Sequence, residues 1–246
     1  MSAEPAITFV LYSEDGADAK NDFAALREVL FGMLRHVCPA VKSNHVEVLP
    51  VQPVRSARIS GSHWKQRERG RPGEKALRRE LIRAVATELK LGRVVFFHVD
   101  ADEVYLERET CASLVEHWPR FKRDVAAMLA TADDLDGALI LAMPFFEMES
   151  WAFANVTYLR RVLALPGDLA QLARWAEDLR ELDEIADIKD VLSIGGAHNH
   201  ALFQAKHGFS PAALVRADKS YARTVERLAE SRVVTGGLKA AASRPY

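Results

Sequence analysis

The sequence predicts an α/β protein with a mostly parallel sheet flanked by helices and a C-terminal helical extension. Up to Trp151, short apolar runs rich in β-branched and aromatic residues alternate with amphipathic helical patterns. That alternation is typical of parallel strands joined by helical crossovers. Beyond Trp151 only helical patterns follow. The chain has 246 residues, 49% of them hydrophobic, which is enough for a packed interior.

Four segments have the composition of buried strands, and each is followed by polar residues. They are Ile7 to Tyr12, Val46 to Val51, Val94 to Val99 and Ala138 to Met143. Pro50 in the second segment and Pro53 just after it lack the N–H group that a central strand must donate, so this strand is expected to be an edge strand or to be bulged.

Helical patterns separate these strands. Apolar residues spaced by three and four predict a helix from Asp22 to just before Pro39 and another over Pro72 to Lys90. A third helical stretch runs from Thr110 to Thr131, where Pro119 is expected to kink or divide it. The residues from Ser56 to Gly73 lack periodicity and indicate a long loop.

The remainder of the chain is predicted to be helical and to end in a loose tail. Ser210 followed by Pro211 is a helix start, and a further helix is expected from about Lys219 to Ser231. We therefore predict an α/β domain over 1–155, a helical extension packed on it over 156–235, and a tail over 236–246. The string His198-Asn199-His200 is interpreted as a loop.

Composition predicts a soluble cytoplasmic protein that does not associate with membranes. The longest apolar run is far shorter than the roughly 20 residues of a membrane span. The N-terminus lacks the plan of a signal peptide. Only two cysteines occur, without the spacing of a zinc site, which favours reduced thiols.

Carboxylates cluster after three of the four predicted strands. Asp100 and Asp102 follow the third strand, and as residues i and i+2 of an extended chain they point to one side. Their repulsion favours a bound cation, and a hard divalent ion such as Mg²⁺ or Mn²⁺ prefers oxygen ligands. Glu14 follows the first strand, and Glu147 and Glu149 follow the fourth.

One segment concentrates positive charge. The formal net charge is −1, but Arg55 to Arg83 contains ten basic and three acidic residues, so this segment is +7 and the rest is −8. This segment is either a binding surface for a polyanion or an ordinary solvated helix face. The candidate nucleic-acid contacts are Lys65, Arg67, Arg69, Arg71, Arg78, Arg79 and Arg83.

Together, Glu14, Asp100-x-Asp102 and Glu147-x-Glu149-x-Trp151 resemble the motifs of the Toprim fold. The likeness is to small bacterial Toprim-like proteins related to the nuclease domain of the overcoming-lysogenization-defect family. It covers residues 6 to 155, with a weaker echo in Lys206 and in Asp218-Lys219-Ser220. The first motif here reads Glu14-Asp15-Gly16, where the family has Glu followed directly by Gly, so either acid could be the active one.

The resemblance implies a nuclease that cleaves DNA or RNA with a divalent metal, acting in antiphage defence with an ATPase partner. It implies that Asp100, Asp102, Glu147 and Glu149 bind metal, that Glu14 is a ligand or general base, and that Lys206 stabilises charge on the phosphate. The sequence leaves open whether the protein forms a homo-oligomer.

Two further functions are consistent with parts of the pattern. A metal-dependent nucleotide-sugar transferase would use Asp100 and Asp102 to hold the ion against a diphosphate, but it gives Glu14 and the second acidic pair no role. A non-catalytic Toprim-like subunit would only dock on an ATPase complex. His98, on the strand face of Asp100 and Asp102, is predicted to be a core histidine, and Trp151 a core residue.

Overall fold

The computed structural model describes residues 7–13, 20–50, 72–99, 108–130, 135–144, 148–185, 188–194 and 198–243. Four strands occur in these ranges: β1 (Ile7–Ser13), β2 (Val46–Pro50), β3 (Val94–His98) and β4 (Leu139–Ala142). They form one sheet in the order β2-β1-β3-β4, and every pair is parallel. The predicted α/β class and parallel sheet are confirmed, and β2 lies at an edge as Pro50 predicts.

Helices make up most of the rest of the described chain. Those before β4 are α1 (Lys20–Val37), α2 (Pro72–Lys90) and α3 (Arg108–Leu129). Those after β4 are α4 (Met148–Ala152), α5 (Val156–Val162), α6 (Pro166–Glu177), α7 (Ile188–Val191), α8 (Asn199–Leu202), α9 (Pro211–Ala217), α10 (Lys219–Glu230) and α11 (Arg232–Ala242). Short 3-10 helices occur at Ser43–His45, Leu135–Gly137, Leu179–Glu184 and Ala205–His207.

Each face of the sheet is covered by its own set of helices. Alternate strand residues such as Phe9, Val94 and Phe96 belong to a core with α1 and the C-terminal helices. The intervening residues, such as Val10 and Phe97, pack with α2 and α3. Because successive side chains of a strand point to opposite faces, β1, β3 and β4 are buried on both faces, whereas the edge strand β2 exposes Glu47. The C-terminal helices therefore complete the core of the sheet domain.

One helical detail narrows the sequence prediction, and a second corrects it. Pro119 lies inside α3, which continues on both sides of it as one helix and is not divided. The predicted tail from Gly236 is helical as far as Ala242, within α11, where Val234, Leu238 and Ala241 are buried. Burial of this apolar stripe outweighs the helix-breaking tendency of the two adjacent glycines.

The two glycines of α11 have different surroundings, which predicts opposite responses to alanine. A Cβ on Gly236 would have no atom within 4 Å, whereas on Gly237 it would lie 3.0 Å from Ile7 Cδ1 and 3.1 Å from Ile7 Cβ. We expect Gly236→Ala to raise the free energy of unfolding by about 1 kcal/mol through helix propensity. Gly237→Ala should be about 1–3 kcal/mol less stable than Gly236→Ala because it crowds β1. Urea unfolding of both variants measures the difference, and equal stabilities would contradict this packing.

Candidate functional site

The strands that precede the three acidic motifs are neighbours in the sheet. β3 lies between β1 and β4, and Ser13 is opposite His98, which is opposite Ala142. In the sequence Glu14 follows Ser13, Asp100 follows Val99, and Glu147 follows Ala142 by five residues. Glu14, Asp100, Asp102 and Glu147 lie outside the described residues. Their three strands nevertheless end at one carboxyl edge of the sheet, where open α/β folds bind ligands.

Glu149 is the acidic motif residue that the structure describes. It lies in the first turn of α4 and is half-buried. The side chain of Asn199 donates a hydrogen bond to it, with 2.7 Å between Asn199 Nδ2 and Glu149 Oε1. Asn199 is itself buried, 4% exposed, and begins α8. A carboxylate has about four lone-pair positions, so one amide contact orients Glu149 and leaves it able to bind a cation.

Sequence reasoning missed Asn199. The interpretation of His198-Asn199-His200 as a loop is wrong for Asn199 and His200, which lie in α8. Polar residues between Gly195-Gly196 and Ala201 were the available signal. The contact of Asn199 with Glu149 depends on how α8 packs, which the local sequence does not reveal.

Aromatic and histidine side chains join this region to the segment that contains Lys206. Tyr158 Oη lies 3.4 Å from His198 Nδ1. The Tyr158 ring also packs against His207, with 5.1 Å between ring centroids. Lys206 is exposed in the 3-10 helix next to His207. Tyr158 therefore contacts both His207, which follows Lys206, and His198, which precedes Asn199.

A buried series of hydrogen bonds joins α4, which carries Glu149, to α10. Trp151 is fully buried, as predicted, and its Nε1 donates to Ser220 Oγ at 2.8 Å. Ser220 Oγ in turn donates to Asp218 Oδ1 at 2.7 Å, and Asp218 caps α10 by accepting from the backbone N–H of Tyr221. The weak sequence echo at Asp218-Lys219-Ser220 is thus in direct contact with the helix that carries Glu149.

His98 lies next to this chain, and its prediction as a core residue is confirmed. It is 3% exposed, and its ring meets the Trp151 ring edge-on with 6.3 Å between centroids. Burial lowers the pKa of His98 to about 4, because desolvation disfavours the charged imidazolium. The side chain is therefore neutral at pH 7.

The predicted nucleic-acid contacts on α2 divide into two groups. Arg78 forms an ion pair with Asp124 of α3, with 2.8 Å between Nη2 and Oδ2, so much of its charge is compensated. Arg79 and Arg83 are exposed on α2 and stay candidates for phosphate contacts. The predictions for Lys65, Arg67, Arg69 and Arg71 fall outside the described residues.

No protein family, curated protein or solved structure matches the chain. In the described part of the chain, no group of three or more His, Cys, Asp or Glu side chains could hold a metal ion. In the same part, none of the helices is both long and apolar enough to span a membrane.

Asn199→Ala should weaken metal binding without removing a proposed ligand. Outer-shell partners of metal ligands typically contribute 10–100-fold to metal affinity, because they fix the orientation of the ligand. We expect the Mg²⁺ dissociation constant, measured by calorimetric titration, to rise by about 10–100-fold. Gln204→Ala, which removes a partner of His200 at 3.0 Å, is the matched control. Equal affinities in wild type and Asn199→Ala would mean that Asn199 does not orient a ligand.

Proposed function

We propose that this protein is a divalent-metal-dependent nuclease of Toprim-like fold that cleaves phosphodiester bonds in DNA or RNA. The observation that carries the proposal is the sheet order. The three strands followed by acidic motifs, β1, β3 and β4, are adjacent and parallel, while β2, which lacks such a motif, lies outside them at the edge. Because parallel neighbours end at the same edge of the sheet, the three acidic segments start from adjacent strand ends, where open α/β folds bind ligands.

The residues present suit a hard divalent cation. The donor set consists of carboxylates, which Mg²⁺ and Mn²⁺ prefer. Glu149 adds a half-buried carboxylate already held by Asn199, which lowers the cost of organising the site. A bound ion would supply charge stabilisation at the phosphate and a more acidic water.

Each proposed residue then has a separate role. Asp100 and Asp102 would hold the cation, Glu147 and Glu149 would complete its ligands or hold a second ion, and Glu14 would bind metal or accept a proton from water. Lys206 would pair with a phosphate oxygen. A role in antiphage defence beside an ATPase partner remains an expectation from the resemblance.

The order of the strands also favours the nuclease over the two alternative functions. A nucleotide-sugar transferase would need only the pair after β3, so it does not account for acids after β1 and β4. A non-catalytic docking subunit has no need of a carboxylate oriented by a buried amide, although it could retain one. The nuclease proposal accounts for all three motifs and for Asn199.

Thermal denaturation with metal and candidate substrates separates these classes. We expect Mg²⁺ or Mn²⁺ to raise the melting temperature of wild type, because a ligand at 100 times its dissociation constant stabilises by about 2.7 kcal/mol. A nuclease should also cleave a mixed set of DNA and RNA oligonucleotides in the same buffer. A metal-dependent rise in melting temperature that occurs only with a nucleotide-sugar present would favour the transferase. The absence of any metal shift would favour a docking subunit.

A further inference from the structure

A groove runs along the outer edge of β4, on the opposite side of this strand from β3. Its volume is about 690 Å³, within the range of ligand sites. Its floor is formed by Gly137 and by Leu139 to Leu141. One wall is α3, through Trp118 and Lys122, and the other is the junction of α10 and α11, through Arg227 and Glu230 to Val233.

The charge of this groove is strongly biased. Lys122, Arg227 and Arg232 line it, and Glu230 is the sole carboxylate among the described lining residues. The whole protein has a net charge of −1, so this local excess is not a consequence of overall composition. An excess of positive charge around a concave surface focuses the potential and attracts an anionic partner.

Two hydrogen bonds fix the position of the wall that carries Arg227 and Arg232. Arg227 Nη1 donates to the backbone oxygen of Leu141 at 2.6 Å, which places its guanidinium at the outer edge of β4. The hydroxyl of Ser231 bonds to the oxygen of Gly137 and also caps α11 through the N–H of Val234. These contacts anchor the α10–α11 junction, and with it Arg232, against the strand.

An aromatic ring lies beside the positive charge. Trp118 is half-buried, one helical turn before Lys122 on α3; its ring packs on Phe97 and Phe121, with 5.6 and 5.7 Å between centroids, and also lines the groove. Basic side chains that follow a backbone, together with a ring on which bases stack, are the features of single-strand nucleic-acid sites. An acidic peptide would use the charge but would have less need of the ring.

We infer that the groove between α3 and the α10–α11 junction, lined by Lys122, Arg227 and Arg232, binds the phosphate backbone of a single-stranded nucleic acid. This inference deepens the proposed function and rests on it for the identity of the bound polymer. The groove follows β4 from Gly137 to Leu141, toward the end of the strand that precedes Glu147 and Glu149. A strand bound there would be led to the proposed metal site, so the groove would position the substrate and take no part in the chemistry.

Anisotropy of a labelled single-stranded oligonucleotide, measured over a salt series in EDTA, tests the inference without metal. The variant Lys122→Ala/Arg232→Ala removes two lining cations and leaves Arg227 on β4. Each lost phosphate contact lowers the slope of log affinity against log salt by about 0.7, so this variant should lose about 1.4 from the slope. Arg232→Ala alone, at an exposed position, should lose about 0.7 and guards against misfolding of the double variant.

The matched control is Arg160→Ala/Arg161→Ala, which removes two exposed cations from α5, away from the groove. Its slope should equal that of wild type. Equal slopes for wild type and the groove variants would overturn the inference, as would failure of wild type to bind the oligonucleotide. Binding of labelled poly-glutamate in place of the oligonucleotide would overturn it in favour of an acidic peptide.

A final arm separates this inference from the nuclease proposal. Asp100→Asn should bind the oligonucleotide in EDTA with the wild-type slope and lose metal-dependent cleavage. If the groove variants have a smaller slope of log affinity against log salt but wild type does not cleave nucleic acid, the groove inference holds and the nuclease proposal fails. If cleavage requires Asp100 but the groove variants keep the wild-type slope, the nuclease proposal stands and the groove inference fails.

Discussion

Asp100→Asn and Asp102→Asn are expected to abolish both metal-dependent stabilisation and metal-dependent cleavage. Each change removes a charged oxygen ligand from the proposed site. Changes to the outer shell of metal sites already cost about 10–100-fold, so loss of a direct ligand should lower the cleavage rate by about 100-fold or more. Without metal, the variants should be as stable as wild type or more stable, because repulsion between neighbouring carboxylates is relieved. Cleavage assays and thermal melts with Mg²⁺ and with EDTA measure both effects.

A matched change elsewhere in the chain controls for general loss of charge. Asp190→Asn alters an exposed acidic residue in α7 and should keep the metal shift and the activity of wild type. If Asp100→Asn and Asp102→Asn both retain an unchanged metal shift, these residues are not ligands. If the variants are strongly destabilised in EDTA, the two aspartates have a structural role instead.

Trp151→Ala should cause the largest loss of stability among single substitutions in the region of the site. Trp151 has no exposed surface and packs edge-on against Tyr221, with 5.3 Å between ring centroids. It also links α4 to α10 through its hydrogen bond with Ser220. Truncation of a buried tryptophan leaves a cavity and typically costs 3–5 kcal/mol, so we expect a loss of about that size in the free energy of unfolding.

A double-mutant cycle isolates the hydrogen bond from the packing. Trp151→Phe keeps a ring but cannot donate to Ser220, and it should cost less than Trp151→Ala. Combined with Ser220→Ala, the cycle should give a coupling of about 0.5–1.5 kcal/mol for a neutral buried hydrogen bond. Leu165→Ala is the control, because Leu165 is 55% exposed and should have little effect. A loss below 1 kcal/mol for Trp151→Ala would contradict the packing described for α4.

The sheet could be predicted from sequence because its strands are buried on both faces. Runs such as Val94 to His98 are continuously apolar up to the last residue, and such runs occur in few other settings. The helix over Pro72 to Lys90 was also predictable, since proline at its first position and a regular apolar stripe mark it clearly. Pro50 predicted an edge or bulged strand through one missing donor, and β2 is an edge strand.

The contacts around the site could not be predicted, because they join distant parts of the chain. Asn199 and Glu149 are separated by 50 residues, and Trp151 and Ser220 by 69. Neither pair follows from local periodicity, since the packing of α8 and α10 on the sheet brings them together. The helix through Gly236 and Gly237 was missed for a related reason. Its stability comes from burial against β1 and α10, which intrinsic propensity does not report.

The central claim is that the acidic residues after β1, β3 and β4 bind one divalent-metal site. The most direct measurement is a crystal structure of the protein soaked in Mn²⁺, with the metal located by its anomalous scattering. Our account predicts a peak at the carboxyl edge of the sheet, with oxygens of Asp100 or Asp102 and of at least one residue among Glu14, Glu147 and Glu149 at about 2.0–2.6 Å. Carboxylates on different faces of the sheet, or an ion bound elsewhere, would contradict it.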